Sequence, residues 1–107
     1  MPKYPDPDSK YDGEIKLYPD TVLQEPKMYR VILHNDHYTT MDFVVEILIV
    51  VFHKAAAEAT KIMLDVHKKG AGICGVYTYD IASTKVSLVH NMAKRREFPL
   101  KCSLEEA

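Results

Sequence analysis

Residues 28–52, MYRVILHNDHYTTMDFVVEILIVVF, contain a change of period that sets the start of the fold. Up to residue 34 the side chains alternate with period two, which predicts a strand with both faces partly covered. Over residues 40–53 the apolar side chains follow the i, i+3, i+4, i+7 spacing of a helix. Valine and isoleucine favour a strand, but the length of the run and a predicted N-cap at Thr39, three residues before Asp42, favour the helix.

The rest of the chain predicts two further helices and two further strands. The second helix covers about residues 55–69 and stops at Gly70, with Lys61 and Asp65 four residues apart on its polar side. A β-branched and aromatic run predicts a strand over residues 73–79. The third helix covers about residues 81–96 and ends in three cations, and a last strand over residues 100–105 follows Pro99.

The order β-α-α-β-α-β predicts an α+β fold. Three helices on one face of a mainly antiparallel three-stranded sheet would close a single small core. We therefore expect one domain over residues 27–107. Residues 1–26 hold five of the six prolines and show no lasting period, so we expect a flexible, disordered N-terminal arm.

Composition excludes several classes of protein. The 107 residues carry a net charge of −1 with a pI of about 6.5, which argues against nucleic-acid binding. No apolar run is long enough to span a membrane, and the N-terminus lacks the apolar region of a secretory signal. Cys74 and Cys102 form no metal-binding spacing, so we expect both to be free, buried strand residues of a cytoplasmic protein.

The connection HNDHYTTM, residues 34–41, is dense in groups that bind ligands. One hypothesis is a metal-dependent enzyme that uses His34, Asp36, His37 and His67, but the spacing matches no familiar metal signature. No nucleophile motif is present, which favours a protein without catalytic activity. The other hypothesis is a small apolar pocket rimmed by acceptors, suited to an ammonium group beside an apolar side chain.

Three segments carry a resemblance to a known family. They are MYRVILHNDHYTTMDFV, ATKIMLDVHKKGAGICGVYTYDIASTKV and PLKCSLEEA, and together they resemble the ClpS adaptor proteins over about residues 27–107. The resemblance implies a protein that is not an enzyme and needs no cofactor or metal. It would bind N-degron substrates, whose first residue is Leu, Phe, Tyr or Trp, and deliver them to the ClpA unfoldase of the ClpAP protease.

The resemblance also implies roles for individual residues. Asn35, Asp36 and His67 match the positions that bind the free α-amino group, and His37 is a further candidate for that role. The side-chain pocket matches Thr39, Met41, Val44, Met63, Val66 and Leu100, with Met41 as the gatekeeper against β-branched first residues.

Partners follow from the resemblance too. Asp80 and Lys85 match the surface that docks on the N-terminal domain of ClpA, and the arm matches the extension used in delivery. We expect a monomer that contacts neither nucleic acid nor membrane. Two positions depart from the family pattern, since His37 and Thr40 stand where an acid and a proline are usual.

Overall fold

Three strands form one antiparallel sheet in the computed structural model, which describes residues 25–107. The central strand is β1 (Met28–His34), with β2 (Ala71–Thr78) on one side and β3 (Lys101–Glu106) on the other. The predicted arm, residues 1–26, falls almost wholly outside the described residues. The central place of β1 matters for the site, because the loop that follows it leaves from the middle of the sheet.

Three helices complete the fold, namely α1 (Met41–Val50), α2 (Ala56–Lys69) and α3 (Tyr79–Arg95). The element order is β-α-α-β-α-β, so the predicted α+β fold is confirmed. The helices and the inner face of the sheet share one hydrophobic core. Its largest fully buried side chains are Val31, Leu33, Phe43, Ile47, Leu48, Cys74 and Val89. Within residues 25–107 no helix has both the length and the apolar character needed to cross a bilayer.

The start and the end of α1 both differ from the prediction. The N-cap is Thr40 and not Thr39, since the Thr40 hydroxyl accepts a hydrogen bond from Phe43 N at 3.2 Å. The helix ends at Val50, earlier than the predicted residue 53, and His53 adopts a left-handed φ of 58°. The buried Val51 and Phe52 instead form the turn into α2. Apolar periodicity overestimated the helix because it cannot distinguish a buried turn from a buried helical face.

The exit of α2 agrees with the prediction, but its predicted side-chain pair does not form. Gly70 has a φ of 91°, a conformation that glycine adopts without steric penalty, and its N–H donates to the Val66 carbonyl at 3.0 Å. Asp65 pairs with Lys69 at 3.6 Å and not with the predicted Lys61. Both candidate lysines lie four residues from the acid, so spacing alone could not choose between them.

The junction of β2 with its two neighbouring helices lies earlier than predicted. The strand begins at Ala71 instead of residue 73, and α3 begins at Tyr79 instead of residue 81. Gly72 allows α2 to pack close to the strand, because a Cβ at this position would meet Val66 Cγ2 at 2.8 Å. Val66 therefore takes its place against the sheet only because residue 72 has no side chain.

Both cysteines are free and buried, as predicted, Cys74 in β2 and Cys102 in β3. Burial raises the pKa of the Cys102 thiol to about 12, and burial, followed by the nearby Cys102, raises the pKa of Cys74 still further. Both thiols are therefore protonated at neutral pH and behave as small apolar core side chains.

Candidate functional site

The loop between β1 and α1 is folded around the carboxylate of Asp36. Its Oδ1 accepts from Tyr38 N at 2.8 Å and from Thr39 N at 2.6 Å, and its Oδ2 accepts from the Thr39 hydroxyl at 2.7 Å. This is an Asx turn, in which an aspartate replaces a backbone carbonyl as the acceptor that closes the loop. The same carboxylate that lines the site therefore also determines the shape of the loop.

These contacts change the acidity of Asp36. Its partial burial alone would raise the pKa of the carboxyl, but the hydrogen bonds from Thr39 and Tyr38, together with the nearby His37, lower it below its ordinary value of 3.8. The group is therefore a carboxylate at every pH near neutrality. It supplies a permanent negative charge at the site.

Asn35 is held at the other end of the same loop. Its backbone N–H donates to the Gly70 carbonyl at 2.9 Å, which joins the end of β1 to the end of α2. His67 lies in the last turn of α2, three residues before Gly70. This backbone hydrogen bond and the adjacent pairing of His34 with Ala71 join the two elements, so Asn35 and His67, 32 positions apart in sequence, line the same cavity.

The lower part of the cavity is apolar and comes from the two facing helices. Met41 and Val44 belong to α1, and Met63 and Val66 belong to α2. Val44, Met63 and Val66 are buried, whereas Met41 is 43% exposed at the start of its helix. Met41 is thus the apolar side chain that borders the opening, and the other three form the walls.

The cavity has a volume of about 220 Å³. This is below the roughly 300–1,000 Å³ of a site for a drug-sized ligand, so it suits a single amino-acid side chain. It is lined by nine residues, all of which the sequence analysis had named: Asn35, Asp36, His37, Thr39, Met41, Val44, Met63, Val66 and His67.

Leu100 is the predicted pocket residue that does not line this cavity. It is buried in the core immediately before β3. From the sequence alone, an apolar residue that lines a pocket cannot be distinguished from an apolar residue of the adjacent core.

The two predicted docking residues differ in solvent exposure and in their internal contacts. Asp80 is exposed in the first turn of α3. Lys85 is half-buried, and its ammonium donates to the Val51 carbonyl at 2.7 Å while lying over the Phe52 and Tyr77 rings. The structure thus gives Lys85 an internal contact that the sequence analysis did not predict.

The metal-enzyme hypothesis is not supported. His34 is directed at β3, where its Nε2 lies 2.7 Å from the Ser103 hydroxyl, and it does not line the cavity. Among residues 25–107 no three side chains of His, Cys, Asp or Glu converge as metal ligands would have to. His34 therefore lies against β3, whereas His37 and His67 line the cavity, so the histidines do not form one cluster.

Comparison with known proteins identifies one family. The model of the family described as "ATP-dependent Clp protease adaptor protein ClpS" matches residues 24–103. The ATP-dependent Clp protease adapter protein ClpS of Syntrophus aciditrophicus (strain SB) is 65% identical over 96 residues, covering 90% of each chain. The protein of the same name from Acetivibrio thermocellus is 64% identical over 91 residues, covering 85% of this chain and 92% of the relative.

A solved structure shows the same fold with a ligand. It is Agrobacterium tumefaciens ClpS2 bound to L-phenylalaninamide, which superposes with a TM-score of 0.75 at 34% identity. The match covers 78% of this chain and all of the other. L-Phenylalaninamide has a free α-amino group, an aromatic side chain and an amide where a polypeptide would continue.

Proposed function

The chain belongs to the ClpS family of ATP-dependent Clp protease adaptor proteins, and from this premise we propose that it is a receptor for N-degrons. It binds proteins by a free α-amino group and a bulky apolar first side chain, namely Leu, Phe, Tyr or Trp. It delivers them to the ClpA unfoldase of ClpAP and catalyses no reaction itself. The observation that carries the proposal is the cavity in which acceptors border an apolar space large enough for one side chain.

The polar residues of the cavity suit an ammonium group. A terminal amine has a pKa near 8, so it carries a positive charge and three N–H donors at neutral pH. The amide oxygen of Asn35 and a neutral ring nitrogen of His67 can each accept one of these donors. A carboxylate can accept about four hydrogen bonds, and Asp36 already accepts three within the loop. We infer that Asp36 acts mainly by its negative charge and by one remaining acceptor position.

The apolar walls account for the first side chain. Burying a leucine or phenylalanine side chain contributes about 1.5–3 kcal/mol, and each charge-assisted hydrogen bond contributes about 1.5–3 kcal/mol. Association itself costs at least about 4 kcal/mol in lost translational and rotational freedom. The first side chain alone does not offset this cost, and two or three hydrogen bonds from the amine exceed it by at most about 5 kcal/mol, which is well short of tight binding. Tight binding therefore requires the amine and the side chain together. The ligand bound to the Agrobacterium protein has both parts.

Delivery rests on other parts of the chain. We propose that the exposed Asp80, together with the surface around Lys85, docks on the N-terminal domain of ClpA. The arm of residues 1–26 then takes part in handing over the substrate.

Fluorescence anisotropy with peptides that differ only in residue one tests the binding step. Peptides that start with Leu, Phe, Tyr or Trp should bind, whereas those that start with Ala or Gly, and an N-acetylated Leu peptide, should not. Asn35→Ala and His67→Ala should each weaken Leu-peptide binding by about 10- to 100-fold, the equivalent of one charge-assisted hydrogen bond.

A matched control separates these effects from general damage. His53 is exposed, has a left-handed backbone and does not line the cavity. His53→Asn should keep full affinity, because asparagine tolerates that backbone conformation. Equal affinity of the wild type for free and acetylated Leu peptides would refute the proposed function.

A further inference from the structure

His37 is the polar residue at the cavity that neither closes the loop nor has a role in the proposed function. Within residues 25–107 its imidazole makes no hydrogen bond or ion pair, although its proximity lowers the pKa of Asp36. It is exposed and it lines the cavity. An exposed ring at an opening can contact a ligand without first breaking an internal bond.

The loop presents this ring from a defined position. The Asx turn closes from Asp36 to the backbone N–H groups of Tyr38 and Thr39, at 2.8 Å and 2.6 Å, so His37 lies inside the turn. The next residues are fixed as well, since Thr40 caps α1. The backbone of His37 is therefore held on both sides, so binding by its ring has to restrict only side-chain rotamers and no further backbone freedom.

Chain continuity places the second substrate residue near this ring. The following reasoning rests on the proposed function, in which residue one fills the apolar walls and its amine lies between Asn35 and His67. Consecutive Cα atoms are about 3.8 Å apart, so residue two must lie at the opening of the cavity. There, His37 is the polar side chain that neither closes the loop nor holds the amine.

The charges around the opening determine what residue two should be. The titratable residues lining the cavity are Asp36 and His37 on the loop and His67 on α2, whereas α1 contributes only Met41 and Val44. Histidine is the side chain that ordinarily gains charge between pH 8 and pH 5. An imidazolium at position 37 would attract a carboxylate of residue two, and a neutral imidazole would do so only weakly.

We propose that His37 is a specificity-determining residue for the second position of the substrate, where it favours Glu or Asp over neutral side chains. This preference strengthens as pH falls. It is separate from recognition of the first residue, since the amine and the first side chain are bound by other groups. His37 thereby makes the sequence after the N-terminal residue part of the recognised signal.

Two peptides test the proposal. Both begin with Leu, and they differ only in Glu or Gln at position two. Their affinities are measured by anisotropy at about pH 6 and about pH 8, on either side of the range in which histidine ordinarily titrates. The readout is the ratio of the two affinities, because any change in amine binding by His67 with pH is largely common to both peptides.

The wild type should bind the Glu peptide about two- to fivefold more tightly than the Gln peptide at about pH 6, the range of an exposed charge pair. The ratio should fall towards one at about pH 8. In His37→Gln the Glu/Gln affinity ratio should be near one at both pH values. The variant should keep its affinity for the Gln peptide, which shows that it is folded. His53→Asn should keep the wild-type ratio at both.

The outcomes separate this proposal from the proposed function. If the Glu/Gln affinity ratio at about pH 6 is the same in wild type and His37→Gln, His37 does not determine specificity at residue two. The proposed function would still hold if Leu peptides bind through their free amine. If neither Leu peptide binds better than its acetylated form, the proposed function fails, and this inference fails with it. A shift of the His37 Hε1 NMR resonance that is larger with the Glu peptide than with the Gln peptide would support the contact directly.

Discussion

The ammonium of Lys85 on α3 donates a 2.7 Å hydrogen bond to the carbonyl of Val51, the residue that caps the C-terminus of α1. Helix C-termini leave carbonyl groups without intrahelical partners, and a cation there also interacts favourably with the helix dipole. The last turn of α1 contains no basic residue of its own. Lys85 on α3 therefore supplies the cation that the C-terminus of α1 lacks. At its opposite end, α1 presents Met41 and Val44 to the cavity.

Replacing Lys85 with methionine tests this internal role. Lys85→Met should lower the free energy of unfolding by about 1–2 kcal/mol, because a half-buried charge-assisted hydrogen bond is lost while the apolar stem is kept. Urea denaturation followed by circular dichroism measures the change. Lys61→Met is the control, since Lys61 is exposed on α2 and forms no ion pair within residues 25–107. Equal stability of the two variants would show that the Lys85 contact contributes nothing.

Met41 should control which first residues enter the cavity. It borders the opening and is 43% exposed. Met41→Ala should raise the affinity for a Val-initiated peptide relative to a Leu-initiated one by about tenfold, a size typical of steric selection in an apolar pocket. Anisotropy with both peptides gives the ratio. Met28→Ala is the control, since Met28 is an exposed methionine that does not line the cavity, and it should leave the Val/Leu affinity ratio unchanged. An unchanged ratio in Met41→Ala would show that Met41 is not a gatekeeper.

The Thr39 hydroxyl should set the acid stability of the loop. The pKa of Asp36 in the folded protein lies below its ordinary value of 3.8. Its carboxylate therefore contributes stability that is complete above about pH 4 and is lost as pH falls through the lower folded value. Thr39→Val removes the 2.7 Å hydrogen bond to Asp36 Oδ2, so the pKa of Asp36 should rise towards its ordinary value. The stability lost on acidification should then be smaller, and stability should stop falling at a higher pH than in the wild type.

An NMR titration of the Asp36 carboxyl, with thermal melts over the same acidic range, checks this expectation. Thr60→Val is the matched control, because the Thr60 hydroxyl donates to the Ala56 carbonyl on α2 and has no contact with the loop. A pKa of Asp36 that is the same in Thr39→Val and in the wild type would contradict the assigned hydrogen bond.

Removing residues 1–24 should separate binding from delivery. All the residues that line the cavity lie within residues 35–67, so the affinity for a Leu-initiated peptide should stay within about twofold of the full chain's. Degradation of a Leu-initiated reporter by ClpAP in the presence of the adaptor should be lost. If the shortened protein still supports degradation, the arm has no role in delivery.

The type and order of the elements could be read from the sequence, whereas several contacts could not. The period change after residue 34 and the stop at Gly70 each depend on local preferences, and the structure has both. The pairing of Asp65 with Lys69, the N-cap at Thr40 and the Lys85 contact with Val51 were missed. Each of these required a choice between nearly equivalent neighbours or a contact between residues distant in sequence.

The sequence by itself determined the alternation of strands and helices, the chemical groups of the loop and, through its motifs, the family. These features are local, because hydrophobic period, turn residues and motif spacing act within a few residues along the chain. Tertiary structure decided how Asn35 and His67, which the resemblance had already assigned to one bound group, come to border one cavity. Their approach depends on the hydrogen bond from Asn35 N to the Gly70 carbonyl and on the close packing that Gly72 allows. Tertiary structure also decided that Leu100 lies in the core away from the cavity lining and that Lys85 is tied to α1, because burial and long-range hydrogen bonds exist only once the helices have packed on the sheet.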